Sequence, residues 1–448
     1  MIYLVGFLIT IGILVTIHEW GHYIVARYFN VKIQRFSIGF GKVIWKRTDK
    51  HDTEWVISAI PLGGYVKMLD SRNEKVPKHL YPFEFNHKKV WQRALIVAAG
   101  PLINIFFAFL LFTALYTFGI KDIKPILGEP TKGTPAYVSG IRGGEIVVKI
   151  NQKPVNGWLD IRENIVGSGI NEDYLSLTIK DNKYSYDQNI KINTKGMLKH
   201  PPTNIGLHPP YPNLPPIIYQ LVDDYPAQKS GLVAGDRISK INQQPIYSWR
   251  DLTHELQKYP DEQITIEYLS AGTTQLRSVS LITQSYLRDG KKFGIIGIQP
   301  DREKVKIPEE LIFRYSLDFP RAISHAFKRT IYSANLMVRF ITGIIKGEVS
   351  WRLLNGPFVI AEIAGKSLAD GLNTFIQFIC AVSISLGIIN LLPLPILDGG
   401  HLVFLAYETF TNRQPSKFAF DLLNRIGFTL IILLMATAIY NDIFHFFG

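Results

Sequence analysis

The sequence predicts a polytopic α-helical membrane protein with four transmembrane helices, membrane-associated β-hairpins and a duplicated soluble insert. Three observations predict it. Apolar runs at Ile2–Ala26, Ala94–Ile120, Leu372–Leu392 and Ile426–Phe444 are each long enough to cross a bilayer, which takes about 20 mainly apolar residues. Between the second and third runs, a pattern beginning at Pro135 recurs at Pro226. A chain of 448 residues with 47% hydrophobic content and a mean hydropathy of +0.10 fits neither a fully embedded nor a purely soluble protein.

The first run (1–26) contains His18-Glu19-Trp20-Gly21-His22. Positions i and i+4 share a helix face, so His18 and His22 can offer two imidazoles to one metal ion. Glu19, beside them, is the candidate general base on a metal-activated water without being a ligand. A lone histidine on an apolar face is more often a satisfied core residue. Three ionisable groups on one apolar span each need a partner away from water, which favours the metal reading. The run lacks a basic leader and a small-residue cleavage site, so it reads as a retained span rather than a signal peptide. Arg27, Lys32, Arg35 and Lys42 follow it, which puts the N-terminus outside and the next loop in the cytoplasm.

That loop (27–93) holds fourteen Lys/Arg against six Asp/Glu. Val31–Lys46 and Glu54–Leu69 alternate apolar and polar residues, with Gly39-Phe40-Gly41 and Pro61-Leu62-Gly63-Gly64-Tyr65 as turn or bulge signals. The expectation is β-hairpins lying at, or dipping into, the cytoplasmic membrane face, in contact with lipid and with no nucleic-acid partner. Beside a hydrolytic site, an exposed strand edge can hold an extended chain by β-addition, making Gly39, Phe40 and Gly41 substrate-binding candidates. A small capping sheet is the alternative. The second span (94–120) has no charged residue, and Lys88, Lys89 and Arg93 mark its cytoplasmic end. Gly100, Pro101 and Asn104 interrupt it, as residues of close packing or a kink.

In the insert, Pro135-Ala136, Gly140-Ile141 and Gly144-Glu145 return as Pro226-Ala227, Gly231-Leu232 and Gly235-Asp236. The register continues through Lys149-Ile150-Asn151-Gln152 and Lys240-Ile241-Asn242-Gln243 to Trp158 and Trp249. A repeat of this length is a whole small domain. The pattern resembles PDZ domains of bacterial periplasmic proteases, which implies two tandem domains, 125–208 and 209–303, joined near the Pro-rich stretch Pro201 to Pro216. Such domains take up extended peptides by strand addition; steric gates with vacant grooves are the alternative. Residues 308–371 mix aromatic and aliphatic side chains with arginine and lysine, as in amphipathic helices on a membrane surface. A soluble helix packed on the insert is the alternative there.

The third span and the motif after it occupy 372–400, where Asn390-Leu391-Leu392-Pro393-Leu394-Pro395-Ile396-Leu397-Asp398-Gly399-Gly400 ends the apolar run. Two prolines cannot continue a helix, so backbone opens here at membrane depth, which is tolerated only inside protein or around a cavity. Asp398 is the candidate third metal ligand: the first and third spans both run inward, bringing the paired histidines and this aspartate to similar depth. A fourth span (426–446) returns the chain outside. The single cysteine, Cys380, lies in an apolar run and excludes an intrachain disulfide framework.

Taken together, these motifs resemble the site-2 protease family over essentially the whole chain. The resemblance implies an inner-membrane Zn2+ endopeptidase with its termini and PDZ pair in the periplasm. It implies that His18, His22 and Asp398 bind zinc, that Glu19 is the base, and that Asn390 contacts substrate backbone or the developing oxyanion. Pro393 and Pro395 join Gly39, Phe40 and Gly41 as substrate-binding candidates. The implied substrates are transmembrane proteins of the anti-sigma-factor type and remnant signal peptides, after periplasmic trimming by another protease. Two other classes stay open: a catalytically silent chaperone or scaffold, which would need no Glu19, and an ion transporter, which four spans without an inverted repeat disfavour.

Overall fold

The computed structural model describes residues 2–72, 75–131, 133–171, 173–180, 187–194, 205–210, 214–273, 275–288, 291–301 and 307–447. The chain divides into two compact units: Met1–Lys121 with Arg314–Gly448, and Asp122–Phe313. Part of the expected Pro-rich joint, at 201–204 and 211–213, lies outside the described residues.

The first unit opens with helix α1 (Ile2–Tyr28). Its Ile, Val and Thr content lowers helix propensity in water. In a bilayer the backbone has no partner but itself, and a helix is what satisfies it. Thr10 and Thr16 follow the same rule, donating to the carbonyls of Gly6 and Gly12 at 2.7 and 2.6 Å. Two long antiparallel strands follow, β1 (Ile33–Thr48) and β2 (Glu54–Met68). Each is bent at its glycines, so together they form four strand limbs. Residues 33–38 pair with 64–68 on one side and with 54–57 on the other, and 54–58 also pair with 43–48. Gly39 and Gly41 carry φ of +91° and +84° at the bend in β1, a backbone region that favours glycine. Among the described residues no further strand pairs with the outer side of 64–68, which leaves that limb as a sheet edge. Helix α2 (Val90–Phe118) comes next, with Pro101 inside it.

The second unit begins within β3 (Ile120–Ile123). Its first half runs through α3 (Pro135–Val138), β4 (Ile146–Ile150), β5 (Lys153–Pro154), α4 (Trp158–Asn171), β6 (Tyr174–Lys180) and β7 (Asp187–Asn193). Its second half contains β8 (Gln220–Leu221), α5 (Pro226–Lys229), β9 (Arg237–Ile241), β10 (Gln244–Pro245), α6 (Trp249–Leu256), β11 (Gln263–Leu269) and β12 (Leu276–Ile282). Strands β13 (Gln284–Arg288), β14 (Lys291–Ile295) and β15 (Ile298–Gln299) complete it, and β16 (Ile312–Tyr315) leads out. The repeat in the sequence is a repeat in structure: sheet orders β5-β4-β6-β7 and β10-β9-β11-β12 correspond strand for strand. The repeated residues are those the shared backbone needs. Asn151-Gln152 and Asn242-Gln243 all take positive φ between paired strands, and the Asn151 and Asn242 amide oxygens accept from Ser176 and Thr265 N–H at 2.9 Å. Each half closes its own core, one around Trp158, Ile150 and Leu177, the other around Ile241, Leu252 and Ile266.

The first unit resumes with α7 (Phe319–Ile345), α8 (Pro357–Ala369), α9 (Leu372–Asn390), α10 (Asp398–Thr411) and α11 (Lys417–Phe447). Helix α2 is its hub, packing on α1, α7, α9 and α10. Among the described residues, four helices are long and apolar enough to cross a membrane: α1, α2, α9 and, within α11, Phe418–Phe444. Beside some buried apolar side chains, these helices bury small and polar residues and leave many large apolar ones exposed. Gly100, Pro101, Asn104, Ala108 and Thr113 of α2 are buried, whereas Leu95, Leu102, Phe106 and Leu110 are exposed. Small residues let helices approach, and apolar ones are left to face lipid. Gly6 of α1 touches the Ala364 backbone of α8, Gly21 the Ala99 carbonyl of α2, and Gly387 of α9 the Pro101 carbonyl. Helix α7 likewise turns Ala322, Ala326 and Thr330 inward, leaving Phe327 and Ile331 exposed. At the far end of α11, the wholly buried Asp442 accepts from the N–H groups of Gly356, Phe358 and Val359 at 2.7–3.2 Å, capping α8.

Candidate metal centre

Helix α1 sets His18 and His22 one turn apart, with their Nε2 atoms 3.3 Å from each other. Asp398 Oδ2, from a segment 376 positions downstream of His22, lies 3.2 Å from His18 Nε2 and 3.5 Å from His22 Nε2. Ligand atoms at about 2.0–2.1 Å around a tetrahedral zinc stand roughly 3.3 Å from one another. The three donors therefore form a triangle of the size one zinc ion requires, and among the described residues they are the one such group of His, Cys, Asp and Glu. The donor set fits zinc.

Each ligand is aimed by its surroundings. His22 Nδ1 faces the Ile96 carbonyl at 2.8 Å; a carbonyl only accepts, so Nδ1 carries the hydrogen and Nε2 keeps its lone pair for a metal. Helix α2 passes the imidazoles at Gly100, where a Cβ would stand 2.2 Å from His22 Nε2 and 2.9 Å from His18 Cε1. His18 Nδ1 lies 3.4 Å from the side-chain amide of Asn104, one helical turn further along α2.

Asp398 is the first residue of α10, after a non-helical stretch made necessary by Pro393 and Pro395. Ile396 within it adopts φ +87°, a strained region for a β-branched residue and one found where surroundings over-determine the backbone. The Gly399-Gly400 pair lets the helix start against that loop: a Cβ on Gly399 would lie 2.2 Å from the Leu392 carbonyl oxygen, and one on Gly400 would lie 2.3 Å from that of Leu394. The buried ion pair of Arg93 with Glu408, at 2.6 Å, fastens α10 to the start of α2.

The donors line a cavity of about 350 Å³ together with Glu19, Asn390, Tyr65, Val66, Met68 and Phe85. Glu19 packs against the edge limb of β2, where a Cβ on Gly64 would stand 3.3 Å from Glu19 Cγ. Asn390 ends α9 and reaches the same cavity. Gly39, Phe40 and Gly41 are not among its lining residues; Phe40 stacks on Tyr65 with ring centroids 6.2 Å apart, and Tyr65 is the one at the wall. Nor do Pro393 and Pro395 line it; Pro395 sits against Gly427 of α11 and Gly400 of α10. Sequence reasoning placed the edge one limb away and read Gly100 and Asn104 as packing residues. The available signal was their i, i+4 spacing, the same interval that separates the two histidines.

Four helices of membrane-spanning length and apolarity, three of which (α1, α2 and α9) line a cavity with two imidazoles, a carboxylate and an adjacent acid, define a membrane protein with a hydrolytic type of metal centre. The chain belongs to peptidase family M50, whose model matches residues 6–434, and is thereby a protease of the site-2 kind. It is 36% identical over 445 residues to the regulator of sigma-E protease RseP of Escherichia coli, covering 98% of each chain. It is 34% identical over 444 residues to protease RseP of Yersinia pestis, again covering 98% of each. A chain of Pasteurella multocida that bears a zinc-metalloprotease name is 36% identical over 444 residues, covering 98% of this chain and 97% of that one.

Proposed function

We propose that this protein is an intramembrane zinc endopeptidase that cuts single-pass membrane proteins within the bilayer, after their outer part has been trimmed. The observation that carries the reading is the triangle of His18, His22 and Asp398 at tetrahedral-zinc spacing, with Glu19 on the same cavity wall. Zinc held there would supply a Lewis acid that acidifies water and polarises the scissile carbonyl. Glu19 takes the proton of the attacking water and passes it to the leaving amine. Asn390 offers its amide N–H to the substrate backbone or to the negative charge developing on the scissile oxygen.

A helical peptide bond is hydrogen-bonded within its own helix, so the substrate span must open locally before attack. The limb Gly64–Met68 supports a route: it is a sheet edge, its residues Tyr65, Val66 and Met68 line the cavity, and it offers replacement backbone bonds to an extended segment. The two halves of the second unit, each a four-stranded antiparallel sheet with a short helix opening the repeat, support the reading as tandem PDZ domains at 125–208 and 209–303. In that role they exclude untrimmed proteins. The charge pattern around α1 supports an inner-membrane location with both termini and this pair in the periplasm. The relatives' names, which speak of a regulator of sigma-E, support anti-sigma-factor-type substrates; remnant signal peptides are the second class that the family resemblance implies.

The test is cleavage of a model single-span protein in lipid vesicles by wild type and Glu19→Gln. The expected result is zinc content unchanged and cleavage reduced at least about 100-fold, the lower end of the range for loss of a general base. Cleavage by Glu19→Gln at the wild-type rate would refute the assignment.

A further inference from the structure

The side chain of Asn104 is wholly buried between α1 and α9, and its amide oxygen has no hydrogen-bond partner. An unmade bond at a buried carbonyl costs about 1–3 kcal/mol, so such a group calls for an explanation. His18 Nδ1 faces the other end of the same amide, Nδ2, at 3.4 Å. That placement suits an imidazole whose Nδ1 accepts. It does not suit one whose Nε2 is given to a metal, because a neutral imidazole ligated through Nε2 carries its hydrogen on Nδ1 and must donate. Donor would then face donor. Exchanging amide oxygen and nitrogen by rotation about the terminal bond changes no volume, and the two orientations are distinguished by the hydrogen-bond network rather than by shape. With the oxygen towards His18, the orphaned acceptor meets the orphaned donor.

We infer that Asn104 is a positioning residue for the metal: its side-chain oxygen accepts from His18 Nδ1–H and fixes the tautomer that leaves Nε2 free to coordinate. This rests on the zinc reading of His18, His22 and Asp398. It gives His18 the counterpart of the Ile96 carbonyl on His22, so α2 orients both imidazoles from positions about two turns apart. The Asn104 backbone is itself held, its carbonyl accepting from Ser383 of α9 at 2.7 Å. Side-chain orientation is thus tied to the α2–α9 contact.

The test measures zinc affinity of the purified protein against a competing chelator in wild type, Asn104→Leu, Asn104→Asp and His18→Ala. Asn104→Leu, close in size but without an acceptor, is expected to bind zinc about 10–100-fold more weakly, the usual effect of losing such a partner. Asn104→Asp keeps an acceptor and should retain wild-type affinity or better. Equal weakening in both Asn104 variants would assign a packing role and overturn the inference, as would wild-type affinity in Asn104→Leu. Undiminished zinc binding in His18→Ala would overturn the underlying site as well, which separates the two failures. A second measurement needs no variant: nitrogen NMR of histidine-labelled, zinc-loaded wild type should show His18 Nδ1 protonated and hydrogen-bonded to oxygen. A His18 Nδ1 proton without such a bond would overturn the inference.

Discussion

Gly100 of α2 lies so close to the His22 imidazole that a Cβ there would stand 2.2 Å from Nε2. The ring cannot swing away freely, because its other nitrogen is bonded to the Ile96 carbonyl at 2.8 Å. Gly100→Ala is therefore expected to displace His22 and lower zinc occupancy and cleavage together, by at least about 10-fold, as for other disturbances of ligand orientation. Gly12→Ala, where a Cβ meets nothing within 4 Å, is the control and should match wild type in both. Metal analysis of the two purified variants checks this.

The ion pair of Arg93 with Glu408 holds α10, and with it Asp398, against α2. The side chains are 4% and 15% exposed, so removing one partner strands a buried charge. Arg93→Met or Glu408→Leu alone should destabilise by about 3–5 kcal/mol, whereas the double replacement should recover most of that loss. Thermal unfolding in detergent of the two single variants and the double variant measures the coupling.

Glu84 supports the end of the edge limb. Its carboxylate is buried, and burial is the largest influence, opposing ionisation. Hydrogen bonds from Ser71 and the contact with His87 outweigh burial and hold the Glu84 carboxyl below its ordinary 4.5. A carboxylate lowered in the folded state contributes stability above the unfolded value of 4.5 and loses it as pH falls through the folded value. Glu84→Gln should thus be less stable than wild type above that pH, by about 1–3 kcal/mol. The difference should shrink below it. Melting temperatures of both proteins on either side of pH 4.5 provide the readout.

Much of this was legible in the sequence because membranes impose simple rules. A charge-free run must be a helix, and ionisable groups inside one must meet. That logic linked His18, Glu19 and His22 to Asp398 across nearly the whole chain. The duplicated insert was legible because Asn151 and Asn242 occupy left-handed turns that repeat with their sheets. What escaped was relational. Gly39-Phe40-Gly41 marks a bend, but only the pairing of 33–38 with two partners shows that the free edge belongs to Tyr65 and Val66. Gly100 and Asn104 look like packing residues until the crossing of α1 and α2 sets them against the imidazoles.

The most direct test of the central claim is zinc stoichiometry and X-ray absorption on purified wild type and Asp398→Ala. The account predicts one zinc per wild-type chain bound by two imidazole nitrogens and carboxylate oxygen, and loss of that zinc in Asp398→Ala. The same zinc content and the same coordination in both proteins would contradict it.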